Sequence, residues 1–169
     1  MTELEMDRVD SPIGSLLLAW RGETLCALGF DDREERMAGA LKVRFGDVKV
    51  TAGKDSQYFR RCLEEYFAGE MAALDRVAVD TGGTPFQQRV WRLLREIPAG
   101  TTTTYGELAA QLDSPGAARA VGLANATNPV AIVVPCHRVI GAGGNLTGYG
   151  GGLDRKRWLL AHEAGTRLR

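Results

Sequence analysis

Two short apolar runs lie near the start of the chain. The first covers residues 13–20 and the second covers residues 24–30, with Arg21-Gly22 at the break between them. Apolar runs of this length on either side of a glycine turn are typical of a β-hairpin. We therefore predict two antiparallel strands, with Cys26 packed as an ordinary hydrophobic residue in the second.

The pattern then changes to the spacing of helices. Residues 31–44 are mostly charged with interspersed apolar positions, as in a solvent-exposed helix. Ser56 is suited to cap a second helix over residues 57–68, which Gly69 would stop. Residues 74–79 resemble a returning strand. The second helix should turn one side toward a core, and that side consists of Phe59, Cys62, Leu63, Tyr66 and Phe67. This half reads as a supporting α+β domain without catalytic residues.

A second domain is predicted to begin at the glycine pair Gly82-Gly83, which divides the chain into residues 1–82 and 83–169. Thr84-Pro85-Phe86-Gln87 then carries three signals of a helix start: a threonine N-cap, proline at the first helical position, and glutamine three residues after the cap. The apolar stripe of this helix comprises Phe86, Val90, Leu93, Leu94 and Ile97.

Two shorter helices follow, over residues 105–112 and 117–126, separated by the turn Asp113-Ser114-Pro115-Gly116. This arrangement predicts a helix-turn-helix. A major-groove recognition helix needs Arg, Asn or Gln aimed at base edges, whereas the helix over residues 117–126 is unusually rich in small residues and has Arg119 as its one cation. Its other residues are mostly small, namely Ala117, Ala118, Ala120, Gly122, Ala124 and Ala126. Small residues suit close approach to a minor groove without sequence readout, with Arg119 as a wedge into the duplex; simple tight packing against neighbouring helices is the alternative.

The candidate chemistry lies at the end of another apolar run. Residues 130–134 predict a buried strand, and Pro135 ends it because proline has no N–H for a sheet ladder. Cys136 and His137 follow directly. A thiol near its ordinary pKa of about 8.5 is a weak nucleophile until a base raises the thiolate fraction, and His137 is the adjacent base. Neighbouring side chains on an extended chain point apart, so we expect a bridging water or a local twist between them. A buried, unreactive cysteine is the alternative.

Seven of the twelve residues from Gly141 to Gly152 are glycine. The segment is not a phosphate-binding P-loop, because no Gly-Lys-Ser/Thr ends it. Glycines here would let the backbone approach a ligand closely, with Tyr149 available to stack on a base. A last helix is predicted over residues 153–163, anchored by Trp158, Leu159 and Leu160. Periodicity alone assigns Glu163 and His162 to the surface.

Composition narrows the classes of function. The 169 residues are 44% hydrophobic, and no apolar run is long enough for a signal peptide or a membrane span, which predicts a cytoplasmic protein. Three widely spaced cysteines and two histidines support neither a disulfide framework nor a zinc site. Net charge is zero, yet residues 1–80 carry 11 Lys and Arg against 16 Asp and Glu, whereas residues 81–169 carry 10 against 5. This asymmetry directs an anionic partner to the second half, unless the halves differ by chance.

Several of these segments together resemble one family. Thr84-Pro85-Phe86-Gln87, Asn128-Pro129, Pro135-Cys136-His137-Arg138-Val139 and Gly148-Tyr149-Gly150-Gly151 resemble the signature of the O6-alkylguanine-DNA alkyltransferases. The resemblance is close in the second half and loose in the first. It implies an α+β fold, with a ribonuclease-H-like N-terminal domain of antiparallel sheet and helices. It also implies a mainly helical C-terminal domain with a winged-helix-like helix-turn-helix.

The resemblance also implies roles for individual residues. Cys136 would accept an alkyl group from O6 of guanine, or less well from O4 of thymine, with His137 and Glu163 forming a water-mediated relay. The other implied catalytic residues are Asn128, which braces the active-site turn, and Tyr105, which donates toward the leaving base. Arg119 would fill the gap left by the flipped nucleotide, with Ala117, Ala118, Gly122 and Thr84 also on the DNA. The substrate pocket would comprise Val139, Tyr149, Gly150 and Lys156, with the carbonyls of Cys136 and Val139 receiving the guanine amino group.

The chemistry implied is irreversible, because alkyl transfer to a thiolate makes a thioether that water does not cleave. Each molecule would then act once on double-stranded DNA that contains O6-alkylguanine, without metal or cofactor. We expect a monomer in solution, with cooperative assembly on DNA left open. Two other classes stay open. A hydrolase using Cys136, His137 and Glu163 would turn over repeatedly, and a lesion-binding protein would keep Arg119 but not need the thiol.

Overall fold

In the computed structural model, residues 2–53, 56–114 and 116–165 are described, and the chain divides into two compact units. The first unit contains the chain up to Gly82 together with Pro129–Val133, and the second contains Gly83–Asn128 and the chain from Val134 onward. Gly82 and Gly83 have φ angles of 60° and 86°, a left-handed conformation that glycine adopts without steric cost. The sequence-based division at residue 82 did not include the later return of the chain to the first unit.

The first unit is built on a four-stranded sheet of order β3-β2-β1-β4. Its strands are β1 (Thr2–Val9), β2 (Leu16–Arg21), β3 (Thr24–Phe30) and β4 (Val48–Ala52). The predicted hairpin is confirmed as β2 and β3, which are antiparallel. The expectation of an antiparallel sheet needs one correction, because β4 pairs with β1 in parallel. Sequence reasoning missed β1 and β4, since charged residues alternate along β1 and β4 is an edge strand exposed over most of its length.

Two helices complete the first unit, α1 (Glu34–Phe45) and α2 (Gln57–Phe67). Cys26 and Cys62 are buried, as predicted. Ser56 occupies the predicted N-cap position of α2, and its carbonyl accepts from the N–H of Arg60, but its side chain makes no capping hydrogen bond: the hydroxyl donates to Oδ2 of Asp7 at 2.6 Å. Asp7 belongs to β1, so the partner of the Ser56 hydroxyl is far away in the chain and no local sequence pattern could reveal it.

The two strands predicted over residues 74–79 and 130–134 do not form. Residues Met71–Arg76 form a 3₁₀ helix, and only Val79 makes a single parallel bridge, to Leu25 of β3. Val130 makes a second such bridge, to Leu28. The outer edge of β3 is thus covered by two isolated bridges. After Val130 the chain turns, with the N–H of Val133 donating to the carbonyl of Ala131 at 2.8 Å.

Ile132 lies at the centre of that turn with φ of 71°, an unfavourable conformation for a β-branched residue. It is nevertheless almost completely buried. An apolar run of five residues suits a buried turn as well as a buried strand, so periodicity could not separate them. Strained backbone of this kind is usually over-determined by its surroundings, and here it directs the chain back to the second unit just before Cys136.

The second unit is mainly helical, with α3 (Pro85–Glu96), α4 (Tyr105–Gln111), α5 (Ala118–Ala126) and α6 (Leu153–Glu163). The predicted capping box is confirmed: the Thr84 hydroxyl accepts from the N–H of Gln87 at 3.1 Å, and the Gln87 side chain accepts from the N–H of Thr84 at 2.9 Å. Strands β5 (Thr103–Thr104) and β6 (Val139–Ile140) pair in parallel. Of the predicted turn between α4 and α5, Pro115 lies outside the described residues. No helix in the described ranges has the length and hydrophobicity to cross a bilayer.

Candidate active site

Cys136, His137 and Arg138 form a single turn of 3₁₀ helix directly after Pro135. All three are buried, and Cys136 is only 6% exposed. The N–H of Cys136 donates to the carbonyl of Val134 at 2.8 Å, which tightens the chain before the turn. Cys136 and His137 therefore do not lie on an extended chain. The backbone has the local twist between them that was one of the two expected arrangements.

His137 is held by Glu163, the last residue of α6. Nε2 of His137 lies 2.7 Å from Oε2 of Glu163, and neither side chain is exposed. A carboxylate only accepts hydrogen bonds, so we assign the ring proton to Nε2 and the lone pair to Nδ1. Nδ1 is buried and has no hydrogen-bond partner among the described residues. The ring is thus oriented with a basic nitrogen available for a proton.

The electrostatics of the pair favour this neutral ring. Burial lowers the pKa of His137 below its ordinary value of 6.5, although the hydrogen bond that its Nε2 donates to Glu163 opposes the shift. Burial alone would raise the pKa of Glu163, but hydrogen bonds from His137 and Arg138 outweigh it and hold that pKa far below 4.5. At neutral pH the site therefore contains a charged Glu163 and an uncharged His137. Periodicity assigned Glu163 to the surface, and that assignment is wrong.

Arg138 is a site residue for which sequence reasoning gave no role. Its Nε and Nη2 donate to Oε1 and Oε2 of Glu163 at 2.7 and 2.9 Å, and its Nη1 donates to the carbonyl of Ile97 at 2.6 Å. Glu163 is therefore shared between a cation and the imidazole. The sequence does place this arginine directly after the Cys-His pair, and that position was the available signal of a role. It does not show that the partner is Glu163, 25 residues later.

Two asparagines support the turn from the preceding helix and loop. Nδ2 of Asn128 donates to the carbonyl of Val134 at 2.7 Å, and Nδ2 of Asn125 donates to the carbonyl of Cys136 at 3.3 Å. Asn125 is buried on α5 and was not singled out from the sequence. The two amides bind the backbone on either side of Pro135, so that the thiol is presented by a fixed segment.

Lys156 ties the glycine-rich segment to the site. Its ammonium is completely buried and donates to the carbonyls of Val139 at 2.7 Å and Thr147 at 2.9 Å. Burial lowers the pKa of Lys156, and the nearby Cys136 opposes that shift. The hydroxyl of Thr147 is also 2.7 Å from that of Tyr105, the first residue of α4. Burial raises the pKa of Tyr149 well above 10.

Helix α5 turns one side inward and leaves the other open. Val121, Ala124 and Asn125 are buried, whereas Arg119 and Leu123 are exposed one turn apart. Leu123 is 67% exposed, a feature that sequence reasoning missed because the residue fits the apolar side of a helix. The predicted small residues Ala117, Ala118 and Gly122 are partly buried, Gly150 is likewise partly buried, and Thr84 is exposed at the start of α3.

Over the described ranges, no cluster of His, Cys, Asp and Glu side chains could hold a metal ion.

The pKa shifts of His137 and Glu163 predict how stability depends on pH. Because the pKa of His137 is lowered in the fold, the unfolded chain binds protons first, and the free energy of unfolding should begin to fall below about pH 6.5. The contribution of Glu163 is present above about pH 4.5 and is lost as pH falls toward its lowered pKa. We therefore expect stability to decrease in two stages on acidification.

Urea unfolding at intervals from pH 8 to pH 4 measures this dependence. His137→Gln should flatten the curve between pH 7 and pH 5 and leave the later decrease in place. A native protein with constant stability across that interval would contradict the neutral, buried imidazole.

The matches to known families cover both units. A family model described as 6-O-methylguanine DNA methyltransferase, DNA binding domain, matches residues 85–165. A second, described as the ribonuclease-like domain of the same protein, matches residues 7–81. The chain belongs to the 6-O-methylguanine DNA methyltransferase family. This confirms both the predicted family and the predicted fold class, a ribonuclease-like α+β domain followed by a helical DNA-binding domain.

Relatives of this methyltransferase match over nearly their whole length. The methylated-DNA–protein-cysteine methyltransferase of Salmonella typhimurium is 46% identical over 167 residues, which is 96% of this chain and 97% of the relative. The protein of the same name from Mycolicibacterium paratuberculosis is 52% identical, over 95% of this chain and 92% of the relative. A crystal structure of Mycobacterium tuberculosis OGT in complex with DNA matches with a TM-score of 0.80 and 46% identity, covering 98% of this chain and 94% of that one.

Proposed function

We propose that this enzyme repairs DNA by direct reversal, moving a methyl group from O6 of guanine to Cys136. The observation that carries the proposal is the buried Glu163–His137 pair, which leaves Nδ1 as a free base in the residue next to the thiol. The curated relatives are named for methyl transfer from DNA to a cysteine of the protein. Cys26 and Cys62 have no neighbouring histidine in the chain, which favours Cys136 as the acceptor.

The reaction balances without a cofactor. The Cys136 thiol gives its proton, through a bridging water, to Nδ1 of His137, and Glu163 stabilises the imidazolium. The thiolate attacks the methyl carbon; the S–C bond forms as the C–O6 bond breaks, and the bonding electrons stay with guanine. Guanine takes up one proton, which matches the proton lost by the thiol. The product is a thioether, so each molecule acts once.

The burial of the acceptor supports extrusion of the damaged nucleotide. At 6% exposure, Cys136 is out of reach of a base that remains stacked in a duplex. Extrusion costs a few kcal/mol of unstacking, which contacts in the gap must offset. We assign this role to Arg119, on the exposed side of α5, with Ala117, Ala118 and Gly122 allowing a close approach to the minor groove and Thr84 contacting the backbone. The net charge of +5 over residues 81–169 favours docking of DNA on this unit.

The substrate pocket that we propose is formed by Val139, Tyr149, Gly150 and Lys156. We propose that the carbonyls of Val139 and Cys136 receive the amino group of guanine. The Val139 carbonyl already accepts from Lys156, and the Cys136 carbonyl accepts from Asn125 and from the N–H of Val139, so the amino group would share the Cys136 oxygen with these donors. Gly150 offers no side-chain donor to O6, so any hydrogen bond to O6 must come from a backbone N–H, and this should allow alkyl groups larger than methyl. O4-alkylthymine is proposed separately, as a poorer substrate. Equal repair of O6-benzylguanine DNA by the native protein and Gly150→Ser would contradict this preference.

Mass spectrometry of the protein after reaction with O6-methylguanine DNA tests the proposal. We expect the gain of one methyl group on the peptide that contains Cys136, and a titration that ends at one repaired base per protein molecule. Continued repair beyond that ratio would indicate the hydrolase alternative. Binding of the lesion without any change in DNA or protein would indicate a lesion-binding protein.

Arg119→Ala should slow methyl transfer about tenfold at subsaturating DNA. Without the arginine in the gap, the extruded state loses about 1.4 kcal/mol of the contact energy that offsets unstacking. Single-turnover rates and DNA binding at several salt concentrations separate a wedge from a simple phosphate contact, which would mainly reduce the salt dependence. Arg61→Ala, at an exposed arginine of α2, removes the same charge and is the control. An equal loss in both variants would contradict a specific role of Arg119.

A further inference from the structure

Thr147 connects three parts of the second unit. Its hydroxyl is 2.7 Å from that of Tyr105 at the start of α4, and its carbonyl accepts from Lys156 of α6 at 2.9 Å. Lys156 also donates to the carbonyl of Val139, three residues after Cys136. Thr147 lies among glycines, yet its position is fixed from both its backbone and its side chain.

The methyl group of Thr147 fixes the direction of its hydroxyl. A Cβ added to Gly141 would lie 3.0 Å from Cγ2 of Thr147, so this methyl packs closely over the Gly141 backbone. Threonine is stiff about its first side-chain torsion. With the methyl held against Gly141, the hydroxyl stays directed at Tyr105. Serine at this position would keep the hydroxyl but lose the contact that orients it.

We propose that Thr147 is a positioning residue that holds the Tyr105 hydroxyl as a donor to the leaving guanine, an inference that rests on the proposed function. Either hydroxyl can donate in the pair, and each has one proton. When Tyr105 donates to the base, its oxygen still accepts, and Thr147 turns its proton toward that oxygen. Hydrogen bonds in such a chain strengthen one another, which makes Tyr105 a better donor as charge develops on guanine.

A double-mutant cycle tests this coupling. Single-turnover rates of methyl transfer are measured at saturating DNA for the native protein, Thr147→Val, Tyr105→Phe and the double variant. Valine keeps the shape of threonine and its contact with Gly141. We expect Thr147→Val to slow transfer about three- to tenfold, the range for one neutral hydrogen bond. The same change in the Tyr105→Phe background should have no further effect. Thr147→Ser keeps the hydroxyl without its orienting methyl group, so its rate should lie between those of the native protein and Thr147→Val.

Two measurements separate this role from a merely structural one. Alkylation of Cys136 by iodoacetamide should proceed at the native rate in Thr147→Val, since the thiol and His137 are untouched. An unchanged transfer rate in Thr147→Val, or an equal slowing in both backgrounds, would overturn the inference while the native protein still methylates Cys136. Failure of the native protein itself to transfer a methyl group would overturn the proposed function, and the role of Thr147 with it.

Discussion

Cys136→Ala is expected to abolish methyl transfer to the limit of detection and to leave the binding of O6-methylguanine duplex intact. The sulfur is the only group in the proposed mechanism that forms a bond to carbon, so no neighbouring side chain can replace it. Alanine at a buried position fills part of the thiol volume and needs no hydrogen-bond partner, so the turn held by Asn125 and Asn128 should persist.

Cys26→Ala and Cys62→Ala are matched controls, because both remove a buried thiol from the first unit. Each leaves a small cavity and should lower stability without changing the amount of methyl group transferred. The three variants are compared by mass spectrometry of the protein and by base analysis of the DNA. Loss of methyl from DNA in the presence of Cys136→Ala, or transfer that depends on Cys62, would refute the assignment.

Glu163→Gln is expected to lower both stability and rate. The change leaves the buried guanidinium of Arg138 without its counter-charge, at a cost of about 3–5 kcal/mol in the free energy of unfolding. It also frees His137 to adopt the other tautomer and withdraws the charge that stabilises the imidazolium. We expect the transfer rate of the folded protein to fall on the order of 10²-fold, the lower end of what general acid–base catalysis contributes.

The two effects of Glu163→Gln are separable at a temperature where the variant is still folded. Single-turnover transfer and iodoacetamide alkylation of Cys136 should both slow, because both depend on the thiolate fraction. Glu96→Gln, at an exposed acid that ends α3, is the control and should change neither. A variant that loses stability but keeps its rate within twofold would limit Glu163 to a structural role.

The elements that local chemistry specifies were predictable from the sequence. The start of α3 follows from a threonine, a proline and a glutamine within four residues, all of which act on the first turn of the same helix. The β2–β3 hairpin follows from two apolar runs around Arg21-Gly22. In each case the interacting groups are neighbours in the chain, so the pattern contains both partners.

The elements that depend on distant partners could not be predicted from the sequence. Two segments have the composition of strands but pair with β3 at one position each. In residues 74–79 this position is Val79, which follows a 3₁₀ helix, and in residues 130–134 it is Val130, which precedes a turn. Strand β4 is short and mostly exposed, and it forms where the edge of β1 is available to it. Ser56 is the N-cap residue of α2, but its hydroxyl donates to Asp7, 49 residues away, and not within the first turn of the helix.

By itself, the sequence determined the helices of the second unit, the hairpin of the first, and the adjacency of a thiol and an imidazole, because these depend on covalent neighbours and local hydrogen bonds. Only the tertiary structure decided that Glu163 is buried against His137, that Arg138 shares its carboxylate, and that Thr147 meets Tyr105. Those contacts join residues 25 to 42 positions apart. These hydrogen bonds and ion pairs are strong because helix packing excludes competing water, and that packing leaves no periodic signal in the chain.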